Sequence, residues 1–368
     1  MKNIIETHHA LDRGIINRFR SYLPIFAATP IVSLCEGSTP LIYSPRLSDR
    51  IGRGRSVYLK FEGLNPTGSF KDRGMTVAVS KAVEKGSLAV ICASTGNTSA
   101  AAAAYAARAG ISCVVILPAG KIAFGKLMQA FAYGAKVVAI RGSFDDALKI
   151  VRELGQSGEF EVVNSINPFR IEGQKTAAFE IVDDLGDSPT AQFLPVGNAG
   201  NITAYWRGYR EFHTSGRASK LPRMFGFQAE GAAPLFYNRV IDFPETIATA
   251  IRIGNPASRE GALEAVRHSQ GAIGVVSDTM ILEAQRWLAE NEGIFVEPAS
   301  AASVAGLLKM SSEADRMLGD IPDENKIVCT VTGHGLKDSD TPILKDCSPF
   351  ECDATTASVK QTLCSNYV

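Results

Sequence analysis

The sequence predicts an α/β protein of two doubly wound domains, and three observations carry that reading. From about residue 88, short β-branched runs alternate with helical patterns, as parallel strands joined by crossover helices require. Loops rich in glycine, asparagine and hydroxyl residues fall where strands pass into helices, at 93–99 and 197–201. The chain of 368 residues also exceeds the roughly 250–300 residues at which a single hydrophobic core stops growing.

The elements follow in order. A helix over 75–85 leads into a buried strand at 88–92, and the alanine-rich stretch 99–108 packs as the next helix. Strand and helix then alternate as 111–117, 121–133, 135–140 and 144–154, and again as 160–163, 171–185, 192–196 and 201–212. No repeat with a period of roughly 20–50 residues interrupts this pattern. After Asp346 the chain is mixed, polar and weakly periodic, so a loosely held tail is expected there.

Composition excludes several functions. Thirty-eight basic residues balance 38 acidic ones, which leaves no field of one sign for nucleic acid or an anionic membrane. No segment approaches the roughly 20 apolar residues of a membrane span, and His8, His9, Asp12 and Arg13 stand where a signal peptide would be apolar. A cytoplasmic location and a small-molecule partner are the expectation. The seven scattered cysteines read as reduced thiols, and the five histidines show no metal-ligand spacing.

Four segments carry chemistry. In 65–74, Asn-Pro-Thr-Gly-Ser-Phe-Lys-Asp-Arg-Gly, Lys71 stands between turn formers and a helix. A solvated lysine there is inert, but one kept from water beside an aldehyde cofactor loses its proton and forms a Schiff base. Gly197, Asn198, Ala199, Gly200 and Asn201 join a strand to a helix, which makes either a phosphate seat or a plain tight turn. Ala199 departs from a dinucleotide fingerprint, and no Gly-Lys-Ser/Thr follows as a nucleotide-binding P-loop needs. The segment 93–99 sets Ser94, Thr95, Asn97 and Thr98 at another helix start, suited to a carboxylate or to capping alone. Finally, 328–335 runs from a strand into Thr332-Gly-His-Gly, where a neutral hydroxyl is positioned to meet a ring nitrogen.

In this order and spacing the segments resemble fold-type II pyridoxal-phosphate enzymes, and among these the threonine synthases. The similar stretches are 36–41, 59–75, 93–99, 164–175, 196–206, 297–303 and 332–338, with 164–175 the most discriminating. The resemblance implies the tryptophan synthase β-like architecture, with a small domain at 75–172 inserted into a large one made of 1–74 and 173–368. The cofactor, pyridoxal 5′-phosphate, would lie between them. It implies that Lys71 carries the cofactor, Asn97 meets its 3-hydroxyl, the 197–201 loop holds its phosphate and Thr332 faces its pyridine nitrogen. Ser94, Thr95 and Thr98 would take the substrate carboxylate. Asn164, Ser165 and Arg170, with Asn198, would take the phosphate of O-phospho-L-homoserine. A homodimer is also implied. Plant members carry a long region before the shared segments for S-adenosylmethionine activation, and no such control is expected here. Two rivals stay open: another enzyme of this fold, either a threonine or serine dehydratase, which has no use for Arg170, or a β-replacing synthase, and a catalytically silent cofactor carrier.

Overall fold

The computed structural model describes residues 14–119, 124–156, 158–312, 325–338 and 349–366. His8, His9, Asp12, Arg13, Asp346 and Cys347 lie outside them. Among the described residues ten strands form two sheets. The first is six-stranded in the order β1-β2-β10-β7-β8-β9, from Leu41–Tyr43, Ser56–Phe61, Lys326–Val331, Ala191–Pro195, Arg223–Ala229 and Ala272–Val276. It is parallel except for the edge strand β1, which runs antiparallel to β2. The second is four-stranded and parallel in the order β5-β4-β3-β6, from Lys136–Ile140, Ser112–Pro118, Ala89–Ala93 and Glu161–Val162.

Helices cover both faces of each sheet. They are α1 (Ile15–Arg18), α2 (Pro45–Ile51), α3 (Lys71–Glu84), α4 (Asn97–Ala109), α5 (Phe124–Ala132), α6 (Phe144–Gln156) and α7 (Pro168–Gln174). Then come α8 (Thr176–Leu185), α9 (Gly200–Thr214), α10 (Arg259–His268), α11 (Asp278–Glu292), α12 (Pro298–Ser311) and α13 (Thr356–Asn366). On the six-stranded sheet, one face packs Phe193, Phe225 and Phe227 against α11 and α12, while the other packs Leu194 and Val328 against α8 and α9. The central strands β3 and β7 are buried end to end, as parallel strands covered on both faces are.

Three local differences from the sequence expectation have physical causes. Helix α3 starts at Lys71 instead of 75, because its polar first turn is buried in partners that hydrophobic periodicity cannot reveal. The Asp72 carboxylate accepts from the Thr67 amide at 2.7 Å and its hydroxyl at 2.5 Å, and Arg73 binds Glu62 at 2.7 Å and Glu180 at 2.6 Å. The helix expected over 171–185 is two. Asn167 caps α7 by accepting from the Phe169 amide, with Pro168 at the first position. The chain breaks at Lys175, whose carbonyl packs so closely on α9 that a Cβ at Gly208 would lie 2.4 Å from it. The tail, read as weakly periodic, contains helix α13, whose side chains are mostly exposed.

Among the described residues all cysteines are free thiols, no group of three or more metal-ligating side chains gathers, and no helix is long and apolar enough to cross a membrane.

Candidate active site

Every residue singled out for cofactor or substrate lines one cleft of about 1620 Å³ between the two sheets. Parallel sheets present ligands beyond the carboxyl ends of their strands, where backbone groups and helix N-termini are exposed. The cleft obeys that rule. Ser94–Thr98 follow β3, Asn164 and Ser165 follow β6, the 197–201 loop follows β7, and Thr332 follows β10.

Lys71 opens helix α3 with its ammonium 4.3 Å from the centre of the Phe70 ring. No hydrogen-bond partner holds that nitrogen among the described residues. Burial and the neighbouring charge of Arg170 bring its pKa down to about 7, against an opposing pull from Glu297. A substantial fraction is therefore neutral amine at physiological pH, as a nucleophile or base requires.

Arg170 is almost wholly buried in the same wall. Its Nη1 donates to the Val163 carbonyl at 3.3 Å, but its Nε and Nη2 have no partner, and no carboxylate pairs with it among the described residues. Burial lowers its pKa to about 10, against an opposing pull from Cys92. A buried guanidinium lacking a counter-ion is costly, and an anionic ligand relieves that cost.

The 197–201 loop leads into the 15-residue helix α9, whose first residues, Gly200 and Asn201, line the cleft. Ala199 holds a left-handed backbone, φ 65°, to make that turn. A Cβ at Gly197 would meet the Ile251 Cα at 2.8 Å, so the backbone itself forms the wall. Both polar atoms of the buried Asn201 amide are without partners. Asn198 donates to the Ser165 hydroxyl and accepts from the Ala257 amide at 2.5 Å. Asn164 pins the end of β3, accepting from the Ala93 amide and donating to its carbonyl, both at 3.0 Å, with one amide hydrogen left over. Ser94 accepts from the amides of Gly96 and Ser99, which makes it part of the turn that opens α4. Thr332 shares a 2.9 Å hydrogen bond with the buried Ser300.

Sequence reasoning missed three contributors to this cleft. Glu297 straddles the Asn97 amide nitrogen at 3.0 and 3.1 Å, and burial raises its pKa. Lys337 donates to the Thr67 carbonyl at 2.7 Å and to Gln129 on α5, tying the turn before Lys71 to the other sheet's helices. Gln174, one turn after Arg170, turns an unpartnered buried Oε1 to the same wall. Glu297 opens the stretch 297–303 that shares in the resemblance, and a proline follows it at the first helical position, but neither signal gave it a role.

The fold and cleft define a class. A partly neutral lysine without a hydrogen-bond partner among the described residues, in one cleft with a glycine loop at a helix N-terminus, fits pyridoxal phosphate, and a model of the family described as pyridoxal-phosphate dependent enzyme matches residues 32–333. The chain belongs to that family and, within it, to the threonine synthases. A protein named threonine synthase from Synechocystis is 57% identical over 90% of this chain and 85% of its own. One so named from Mycobacterium leprae is 54% identical over 95% of this chain and 96% of its own. The solved O-ureido-L-serine synthase shares the fold, with a TM-score of 0.72 at 22% identity over 91% of this chain and 100% of that one. Pyridoxal phosphate is the cofactor, and the architecture is that of fold-type II.

Proposed function

We propose that the chain converts O-phospho-L-homoserine and water into L-threonine and phosphate. The carrying observation is Arg170, a buried cation with unpartnered N–H groups in the same cleft as the glycine loop. Two anion seats suit a phosphorylated substrate beside a phosphorylated cofactor, whereas a dehydratase substrate has nothing to offer the second seat.

In this reading the 197–201 loop holds the cofactor phosphate, Asn97 meets its ring oxygen, and Thr332 meets its ring nitrogen. Bound pyridoxal phosphate supplies the electron sink that makes the substrate's α- and β-protons acidic. Lys71, once its amine is free, takes the α-proton and passes it to the phosphate that is about to leave, then takes a β-proton and returns that proton to the γ-carbon after the γ carbon–oxygen bond breaks. One flexible four-carbon stem serves all three carbons. Arg170, Ser165, Asn198 and the remaining amide hydrogen of Asn164 hold the leaving phosphate. Water then gives its hydroxyl to the β-carbon and its proton to Lys71, which returns it to the α-carbon, and Ser94, Thr95 and Thr98 keep the carboxylate in place throughout. The four-stranded sheet and its helices form the small domain, 75–172, and their approach to the larger unit excludes bulk water. The setting is a cytoplasmic homodimer.

The test is incubation with O-phospho-L-homoserine and assay of phosphate, threonine and 2-oxobutanoate. Equal phosphate and threonine support the reading. No phosphate, or 2-oxobutanoate as the main product, would refute it.

A further inference from the structure

Glu297 is a buried acid at the heart of the cleft with no part in the steps above. It precedes Pro298 at the start of α12, and its own amide donates to the Gly333 carbonyl at 3.0 Å. A Cβ at Gly333 would lie 2.4 Å from one carboxyl oxygen, so the side chain is seated against backbone. Asn97 begins α4 on the opposite sheet's helices, and this contact spans the cleft. An amide can be turned either way, and the two ends differ in chemistry: one donates, the other accepts. A carboxylate accepts, so it takes the nitrogen end, and its two oxygens straddle that nitrogen with a hydrogen left over for the cleft.

We infer that Glu297 is a positioning residue that acts through Asn97, aiming the amide N–H at the ring oxygen of the cofactor. The inference rests on the cofactor reading of the cleft. It also accounts for the glycine at 333 and for a charged side chain beside Lys71 that pairs with no cation at contact distance among the described residues. Charge supplies a second consequence: a carboxylate there favours the protonated state of the nitrogen at position 71.

The test is a double-mutant cycle on cofactor affinity, read by spectral titration of the cofactor-stripped full chain. Asn97→Ala and Glu297→Ala are each expected to weaken binding about tenfold, and the pair together still about tenfold. Glu297→Gln keeps an acceptor oxygen, so its affinity is expected within about threefold of wild type. The pH at which its bound cofactor's visible band titrates is expected to fall, because the negative charge has gone. Glu297→Asp, charged but one methylene short, serves in the cycle if alanine unfolds the chain. A roughly hundredfold, additive loss in the double variant overturns the inference, as does a Glu297→Ala affinity equal to wild type. A wild-type chain that takes up no cofactor overturns the reading of the cleft itself, which the other outcomes leave standing.

Discussion

Gly173 and Gly74 meet where the helices bearing Arg170 and Lys71 cross: a Cβ at Gly173 would lie 2.9 Å from the Gly74 Cα and 1.8 Å from the Arg73 carbonyl oxygen. The two helices therefore touch backbone to backbone, and this contact sets the spacing between the amine and the guanidinium. Gly173→Ala must push them apart. Overpacking of this kind costs about 1–3 kcal/mol, and displacement of a catalytic group by about 1 Å costs on the order of 100-fold in rate. We expect a lower thermal midpoint together with a kcat/KM loss of about 100-fold. A variant with wild-type kcat/KM would mean that the crossing does not position the site.

Lys71 makes two further expectations testable. Lys71→Ala should lose covalent cofactor, its visible absorbance and turnover together; covalent cofactor retained in that variant would assign the attachment to another residue. In wild type, the amine must be neutral to act, so kcat/KM, which reports the free chain, should fall about tenfold per pH unit on the acid side of about 7. Stability of the cofactor-free chain carries the opposite face of the same shift. The folded pKa lies below the ordinary 10.5, so between about 7 and 10.5 the unfolded chain binds more protons, and stability rises with pH. Lys71→Met should flatten that rise in a denaturant titration, and an unchanged slope would place the amine in solvent.

Arg170 is expected to separate stability from function. Its Nε and Nη2 are buried without partners, so an isolated cation is being held out of water. Arg170→Met should raise the stability of the free chain by about 1–3 kcal/mol while raising KM for O-phospho-L-homoserine at least about 100-fold. Cofactor absorbance should be unaltered. A destabilised variant would reveal a structural ion pair, and an unchanged KM would remove the second anion seat.

The sequence made legible whatever is written in adjacent residues. The glycine loop at 197–201 sits between its strand and helix in the chain as in space, and the alternation from 88 to 212 gave the four-stranded sheet and β7 of the larger one. What escaped is held by distant partners. Glu297 reaches Asn97 across 200 residues of chain, and Lys337 reaches Gln129 across 208. The buried network of Lys60, Glu62, Arg73 and Glu180 joins β2, α3 and α8 through side chains that composition would assign to the surface. Removing one member of such a network leaves an uncompensated charge and costs about 3–5 kcal/mol. Strand β1 has three residues, too few for an alternating pattern, and β9 follows β8 only after a long irregular connection and α10.

In the proposed reading the hydroxyl at Thr332 faces the cofactor's ring nitrogen and limits its electron sink. Ser300 accepts from the Gly333 amide at 2.7 Å, which turns its own hydrogen toward Thr332 or the Gly333 carbonyl. When Ser300 donates to Thr332, the Thr332 hydrogen is free to meet a ring nitrogen that carries no proton. An aspartate at 332 would instead hold that nitrogen protonated and strengthen the sink. Stronger withdrawal prolongs carbanion character at the α-carbon and favours loss of the amino group over water addition. Thr332→Asp is therefore expected to raise the ratio of 2-oxobutanoate to threonine by about tenfold or more at unchanged phosphate release per substrate consumed. Thr332→Ser, which keeps the hydroxyl, should keep the wild-type ratio. If the aspartate variant made threonine with wild-type fidelity, the neutral partner at 332 would have no part in product choice.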